Sequence, residues 1–125
     1  MNTIQQKLLK ERILSNKNEI DILFAEGKRK QKFPLAMVYY TTHNIGPSHK
    51  ILFVTPKKNF PKAVKRNLIK RQLRELYRKN QDLFVNQEGH ILYIAIIALA
   101  DLNKTKTDDL KLEYKNLITS IYENT

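Results

Sequence analysis

One run of residues restricts the architecture more than any other. Positions 91–100 read ILYIAIIALA, without a single charge. At ten residues the run is about half of a bilayer-spanning helix, which needs roughly 20 apolar residues. It does not alternate between apolar and polar, as a strand with one wet face would. Residues 91–99 are therefore expected to form a strand buried on both faces. Such a strand requires a sheet and a core around it. The chain has 125 residues, 42% of them apolar, with four prolines and three glycines, which suits one folded domain over 1–125.

Residues 1–14 are polar and basic and are expected to be loosely ordered until Ile13 and Leu14 meet the body. Ser15 or Asn16 can cap a first helix, with Glu19 placed for a capping box. Ile20, Leu23 and Phe24 share a face, and Gly27 supplies the stop. Residues 28–32, KRKQK, form a basic connector with room for a brief extended segment. Residues 35–42, LAMVYYTT, are β-branched and aromatic enough for a strand, with Pro34 at its start. A turn containing Gly46-Pro47 leads to a second strand at 50–55, KILFVT, expected to pair with the first as a hairpin.

Asn59 is a plausible cap for the next helix, with Pro61 near its first position and its end near Asn80. Leu83, Phe84 and Val85 in the following connector are expected to touch the core. After the 91–99 strand, Thr107 or Asp108 caps a last helix to about Glu123, with Leu110, Tyr114, Leu117, Ile118 and Ile121 as its apolar stripe. The pattern is helix, two or three strands, helix, strand, helix: an α+β sandwich with helices on one side of a sheet.

Most of the chain's formal charge of +11 sits in residues 57–79, KKNFPKAVKRNLIKRQLRELYRK, which hold ten bases and one acid, Glu75. On a helix Arg66, Lys70, Arg74 and Arg78 form one i, i+4 row with Asn67 and Arg71 beside it. Ile69, Leu73 and Leu76 fall on another side, with Tyr77 at the boundary. Like charges at this spacing repel by a few tenths of a kcal/mol per pair, whereas solvated helix faces ordinarily mix signs. A polyanion that relieves the repulsion is expected, and nucleic acid fits that requirement.

Enzymatic constellations are thin. His43, His49 and His90 lie in turns or at a strand edge without metal-ligand spacing, so no metal site and no catalytic residue is assigned. There is no cysteine, phosphate-cradling glycine loop or nucleophile elbow. The chain reads as a binder. Tyr39 and Tyr40, as successive strand residues, cannot both be core. One is expected to face outward near the basic helix, where single-stranded nucleic acid could stack on it. The segment MNTIQQKLLKERI lacks the apolar core of a secretory signal, and a soluble, cytoplasmic protein without a membrane partner is expected.

At Arg66-Asn67-Leu68-Ile69-Lys70-Arg71-Gln72-Leu73-Arg74-Glu75 the sequence resembles the protein subunit of bacterial ribonuclease P, whose signature is RN-x-x-KR-x-x-RE. The preceding Lys57-Lys58 and Ala63-Val64 pairs fit that family's order. So do Ile22-Leu23-Phe24-Ala25-Glu26-Gly27-Lys28 and Phe33-Pro34-Leu35. The chain departs from the pattern at Leu68, where many members carry arginine, and at Ile20, where an aromatic ring is usual. Its connector Asn59-Phe60-Pro61-Lys62 is one residue longer.

The resemblance implies an α-β-β-β-α-β-α two-layer sandwich with a four-stranded sheet and a left-handed β-α-β crossover. It implies a subunit that assists a catalytic RNA in removing the 5′ leader from precursor tRNA, with Mg2+ bound mainly by the RNA and no obligate protein partner. On this resemblance Lys57, Lys58, Lys62, Arg66, Asn67, Lys70, Arg71, Arg74 and Arg78 become RNA contacts. Phe24 and one of Tyr39 and Tyr40 become candidates for a leader cleft between the sheet and the first two helices. The alternatives are a structural, ribosomal-type RNA-binding protein of the same architecture and a DNA-binding regulator. The latter usually needs a companion helix joined by a short turn, and here a strand precedes the basic helix.

Overall fold

The computed structural model describes residues 12–123; most of the segment expected to be loosely ordered, residues 1–11, lies outside them. The elements run α1 (Lys17–Glu26), β1 (Lys28–Lys32), β2 (Leu35–His43), β3 (His49–Val54), α2 (Ala63–Lys79), β4 (His90–Ala98) and α3 (Thr107–Glu123). Short 3-10 turns at Gln81–Leu83 and Leu102–Lys104 follow α2 and β4. This is the α-β-β-β-α-β-α order, built on one four-stranded sheet.

β4 organises it. Ile91 through Ala98 are all buried, and Ile94 and Ile96 are completely so. Each large aliphatic side chain buried in this way contributes about 1.5–3 kcal/mol. A strand with no polar face does best in the middle of a sheet, and the order is β1-β2-β4-β3. β2 pairs antiparallel with β4, and β3 pairs parallel with it. The expected hairpin between residues 35–42 and 50–55 is therefore not formed: β4 inserts between the two strands and takes both as neighbours. The basic connector is itself a strand, β1, paired antiparallel with β2 across the two-residue turn Phe33-Pro34, whose peptide bond is cis.

The helices do not all lie on one side, which corrects the periodicity reading. Leu35, Met37, Tyr39, Ile51, Phe53, Leu92, Ile94 and Ile96 pack with Ile69, Leu73 and Tyr77 of α2 and Tyr114, Leu117, Ile118 and Ile121 of α3. The opposite face, with Ala36, Val38, Ile91, Tyr93, Ala95 and Ile97, packs with Leu14 and with Leu23 of α1. The cause is β4 again, since a strand apolar on both faces needs cover on both. Ile13 and Leu14 do meet the body: Ile13 bridges to Ile51, and the Leu14 N–H donates to the Ile51 carbonyl at 2.8 Å.

Local chemistry sets the helix ends. The Asn16 side chain accepts from the Glu19 N–H at 3.1 Å, capping α1 as expected. Gly27 ends that helix in an extended conformation (φ −72°), not a left-handed one. Its lack of a side chain matters because a Cβ there would sit 2.8 Å from Val38 Cγ1. Asn59 does not cap α2. Lys62 occupies the N-cap position without a side-chain bond, and Asn59 Nδ2 instead donates to the Ala98 carbonyl at 3.3 Å.

Candidate nucleic-acid interface

Successive members of an i, i+4 row drift about 40° around a helix. The row Ile69, Leu73, Tyr77 is the buried seam of α2, and the row Arg66, Lys70, Arg74, Arg78 winds alongside it. The first basic member therefore starts next to the core and the last ends well clear of it. Arg66 and Lys70 are half-buried, while Asn67, Arg71, Arg74 and Arg78 are exposed. Tyr77, placed at the boundary from the sequence, is fully buried, because its hydroxyl finds a partner there: His49 Nε2, at 2.7 Å.

The basic side chains are not equivalent. Arg66 Nη1 donates to the carbonyls of Phe60 (2.9 Å) and Pro61 (2.8 Å), so this guanidinium fastens the loop entering the helix. Phe60, 5% exposed, anchors the same loop in the core. Lys57, Lys58 and Lys62, carried on that loop, are exposed. Arg78 makes a two-point contact with Glu75, Nε to Oε2 at 3.1 Å and Nη2 to Oε1 at 2.5 Å. The Arg78 bond holds the Glu75 carboxyl below its ordinary range. Lys65 pairs with Asp101 at 2.6 Å. Lys57, Lys58, Lys62, Lys70, Arg71 and Arg74 have no ion-pair partner among the described residues. Val64 and Leu68, one turn apart on the same helix, are exposed at 82% and 39%. Solvent-facing apolar groups between free cations suit a surface that contacts both phosphate and sugar or base.

The aromatic candidates separate cleanly. Tyr39 is core, 5% exposed, on the side covered by α2 and α3. Tyr40 is half-buried on the α1 side. The outward tyrosine thus does not lie near the basic helix as expected: the sheet stands between them, because alternation that puts Tyr39 under α2 must put Tyr40 opposite. Phe24 is exposed (46%) on α1. Tyr93, not singled out from sequence, joins this side because the β2–β4 register sets it directly opposite Tyr40, with ring centroids 6.5 Å apart. Its hydroxyl donates to Glu19 at 2.5 Å, and Lys50 pairs with the same carboxylate at 3.4 Å. Burial, and then the bond to Glu19, pushes the Tyr93 hydroxyl up to about 12. Only the register identifies Tyr93; in the sequence it is one ring in an apolar run.

His49 is the other residue missed. It is 1% exposed at the start of β3, with Nδ1 2.7 Å from Ser48 Oγ, and it is stacked on Phe84 at 4.0 Å. Burial, helped by the charge of Arg12, lowers its pKa from 6.5 to about 3, so the ring is neutral. It is a structural strut between β3 and α2. Among the described residues, no group of three or more histidine, aspartate or glutamate side chains is placed to hold a metal ion. No helix among the described residues is long and apolar enough to cross a membrane.

The family model described as Ribonuclease P matches residues 8–122. The ribonuclease P protein component of Porphyromonas gingivalis is 38% identical over 93 residues, covering 68% of this chain and 65% of that protein. That of Chlorobium phaeobacteroides is 39% identical over 82 residues, covering 62% and 56%. The chain thus spans somewhat less than two thirds of the length of these curated relatives. Among solved structures, the RNase P protein from Thermotoga maritima superposes with a TM-score of 0.69 at 22% identity, over 86% of this chain and 96% of that one. A Staphylococcus aureus RNase P protein mutant with defective mRNA degradation activity gives 0.72 at 16% identity, over 98% of both chains. At these identities the structural matches speak for the fold.

Proposed function

The chain belongs to the ribonuclease P protein family, and from that premise we propose that it is the protein subunit of a bacterial ribonuclease P. It binds the catalytic RNA and helps it remove the 5′ leader from precursor tRNA in the cytoplasm. The observation that carries this reading is the set of cations without an ion-pair partner among the described residues, Lys70, Arg71 and Arg74 on α2, beside the exposed Asn67 and continued by Lys57, Lys58 and Lys62.

The mechanism assigned to the protein is positional and electrostatic. The α2 cations neutralise backbone phosphates and release counterions, which favours approach of two polyanions. Arg66 acts one step back, holding the loop that presents Lys57, Lys58 and Lys62. On the α1 side, Phe24 and Tyr40 offer ring faces on which leader bases stack. Tyr93, held by Glu19, keeps the Tyr40 ring supported from its flank. Magnesium held by the RNA would supply the hydrolytic chemistry; the protein's own residues bind and orient.

Reconstitution tests this. Added to a bacterial ribonuclease P RNA at low magnesium, the chain is expected to restore 5′ processing of precursor tRNA, and to show no cleavage without the RNA. Failure to rescue, with equal affinity for precursor and mature tRNA, would instead favour a structural RNA-binding protein.

A further inference from the structure

His43 and His90 are 47 positions apart in sequence, and the sheet makes them direct partners at the end of the antiparallel β2–β4 ladder. Their ring centroids lie 4.4 Å apart, with the planes tilted by 57°. Two imidazoles sharing one ion at metal–nitrogen distances of about 2.0–2.1 Å have centroids about 4.5–5 Å apart. The observed spacing lies just short of that range. His90 carries a second mark. Its Nδ1 lies 3.1 Å from the Glu88 carbonyl oxygen. A carbonyl only accepts, so Nδ1 holds the proton and Nε2 keeps its lone pair. Metal-bound histidines use the same outer bond to fix tautomer and ring orientation.

The surroundings allow access. His43 is exposed and His90 half-buried. Both line an open pocket of about 650 Å³ with Glu26, Lys28, Tyr39, Tyr40, Thr41 and Gln87. Strand alternation puts His43 on the side of Tyr39, not of Tyr40. Tyr40 lines the same pocket, so this site adjoins the stacking surface assigned to the leader. The third histidine cannot contribute, because both His49 ring nitrogens are occupied by Ser48 and Tyr77.

We propose that His43 and His90 form a two-imidazole site for a divalent d-block cation of the Zn2+, Ni2+ and Cu2+ class, with water in the remaining positions. Imidazole nitrogen suits these ions, whereas Mg2+ prefers a shell of oxygens.

The test uses the full chain and the metals alone. Calorimetric titration with Ni2+ and with Cu2+ is expected to give one ion per chain, Cu2+ the tighter of the two. The Cu2+ paramagnetic resonance spectrum should show coupling to two imidazole nitrogens. Millimolar Mg2+ should leave both titrations unchanged. His43→Ala and His90→Ala should each weaken binding by about tenfold or more, at least the cost of losing an outer partner. Each should leave one nitrogen coupling, and the double variant should leave none. His43→Gln, which keeps side-chain bulk at the more exposed position, repeats the measurement should an alanine variant fold poorly. Unchanged affinity in the double variant, a single nitrogen in the native spectrum, or displacement by Mg2+ would overturn the site.

Discussion

On the outer side of α2, Lys70, Arg71 and Arg74 have no acidic partner among the described residues, and Glu75 on the same helix is occupied by Arg78 and Lys79. Across the sheet the pattern reverses. There the rings of Tyr40 and Tyr93 dominate, and Lys50 is already paired with Glu19. One side is open to phosphate whatever the sequence of the nucleic acid. The other offers flat apolar faces and little spare charge. On the proposed function, the contrast teaches that anchoring to a structured RNA and holding a single strand fall on opposite faces of one sheet, so a substitution on either side should disturb one and spare the other.

The sharpest test of that separation is Arg71→Ala with Arg74→Ala. Losing two charge-assisted contacts should weaken binding to the catalytic RNA by on the order of 100-fold at low salt. It should also flatten the salt dependence by about 0.7–0.9 per contact. The ratio of precursor to mature tRNA affinity should not move. Tyr40→Ala should do the converse: precursor tRNA binding by the reconstituted complex falls by about tenfold, from a stacking loss of about 1–3 kcal/mol, while mature tRNA and salt slope are unaffected. If either substitution changes both quantities, the two faces act as one surface.

A third, smaller effect concerns what holds α2 in place. The folded pKa of His49 is depressed to about 3, so between about pH 6.5 and pH 3 the unfolded chain binds the extra proton. The His49 contribution is complete above the unfolded value and drains away on acidification through this window, by on the order of 1 kcal/mol per pH unit. Thermal melts from pH 7 to pH 4 should show that slope, and His49→Phe should reduce it. The smallest effect is expected from Glu75→Gln. Freeing Arg78 should raise affinity for the catalytic RNA by less than about fivefold, read in the same binding assay, with no change in leader discrimination.

Much of this arrangement could be read from residues alone. The apolar run at 91–99 announced a doubly covered strand, and the basic and apolar rows of α2 separated at helical spacing. The stripe of Leu110, Tyr114, Leu117, Ile118 and Ile121 placed α3. What periodicity cannot report is which strand neighbours which. Residues 35–42 and 50–55 each show strand character, but only the demand of β4 for two flanking partners decides that they do not pair with each other. The same blindness hid Tyr93, His49 and the His43–His90 contact, all of which depend on register between distant segments. It also misplaced the outward tyrosine, since the side taken by α2 is not encoded in α2 itself. Asn59 carried a capping residue's chemistry, yet its amide was drawn to the Ala98 carbonyl by a contact 39 residues away.

β1 carries one more implication. It is an edge strand, and four of its five residues are Lys28, Arg29, Lys30 and Lys32. Two copies meeting along that margin would have to zip like charges together, a pairing that backbone hydrogen bonds alone do not rescue. The chain is thereby kept from polymerising with itself, and the positive charge that the proposed function sets against another molecule also serves as its own solvent coat.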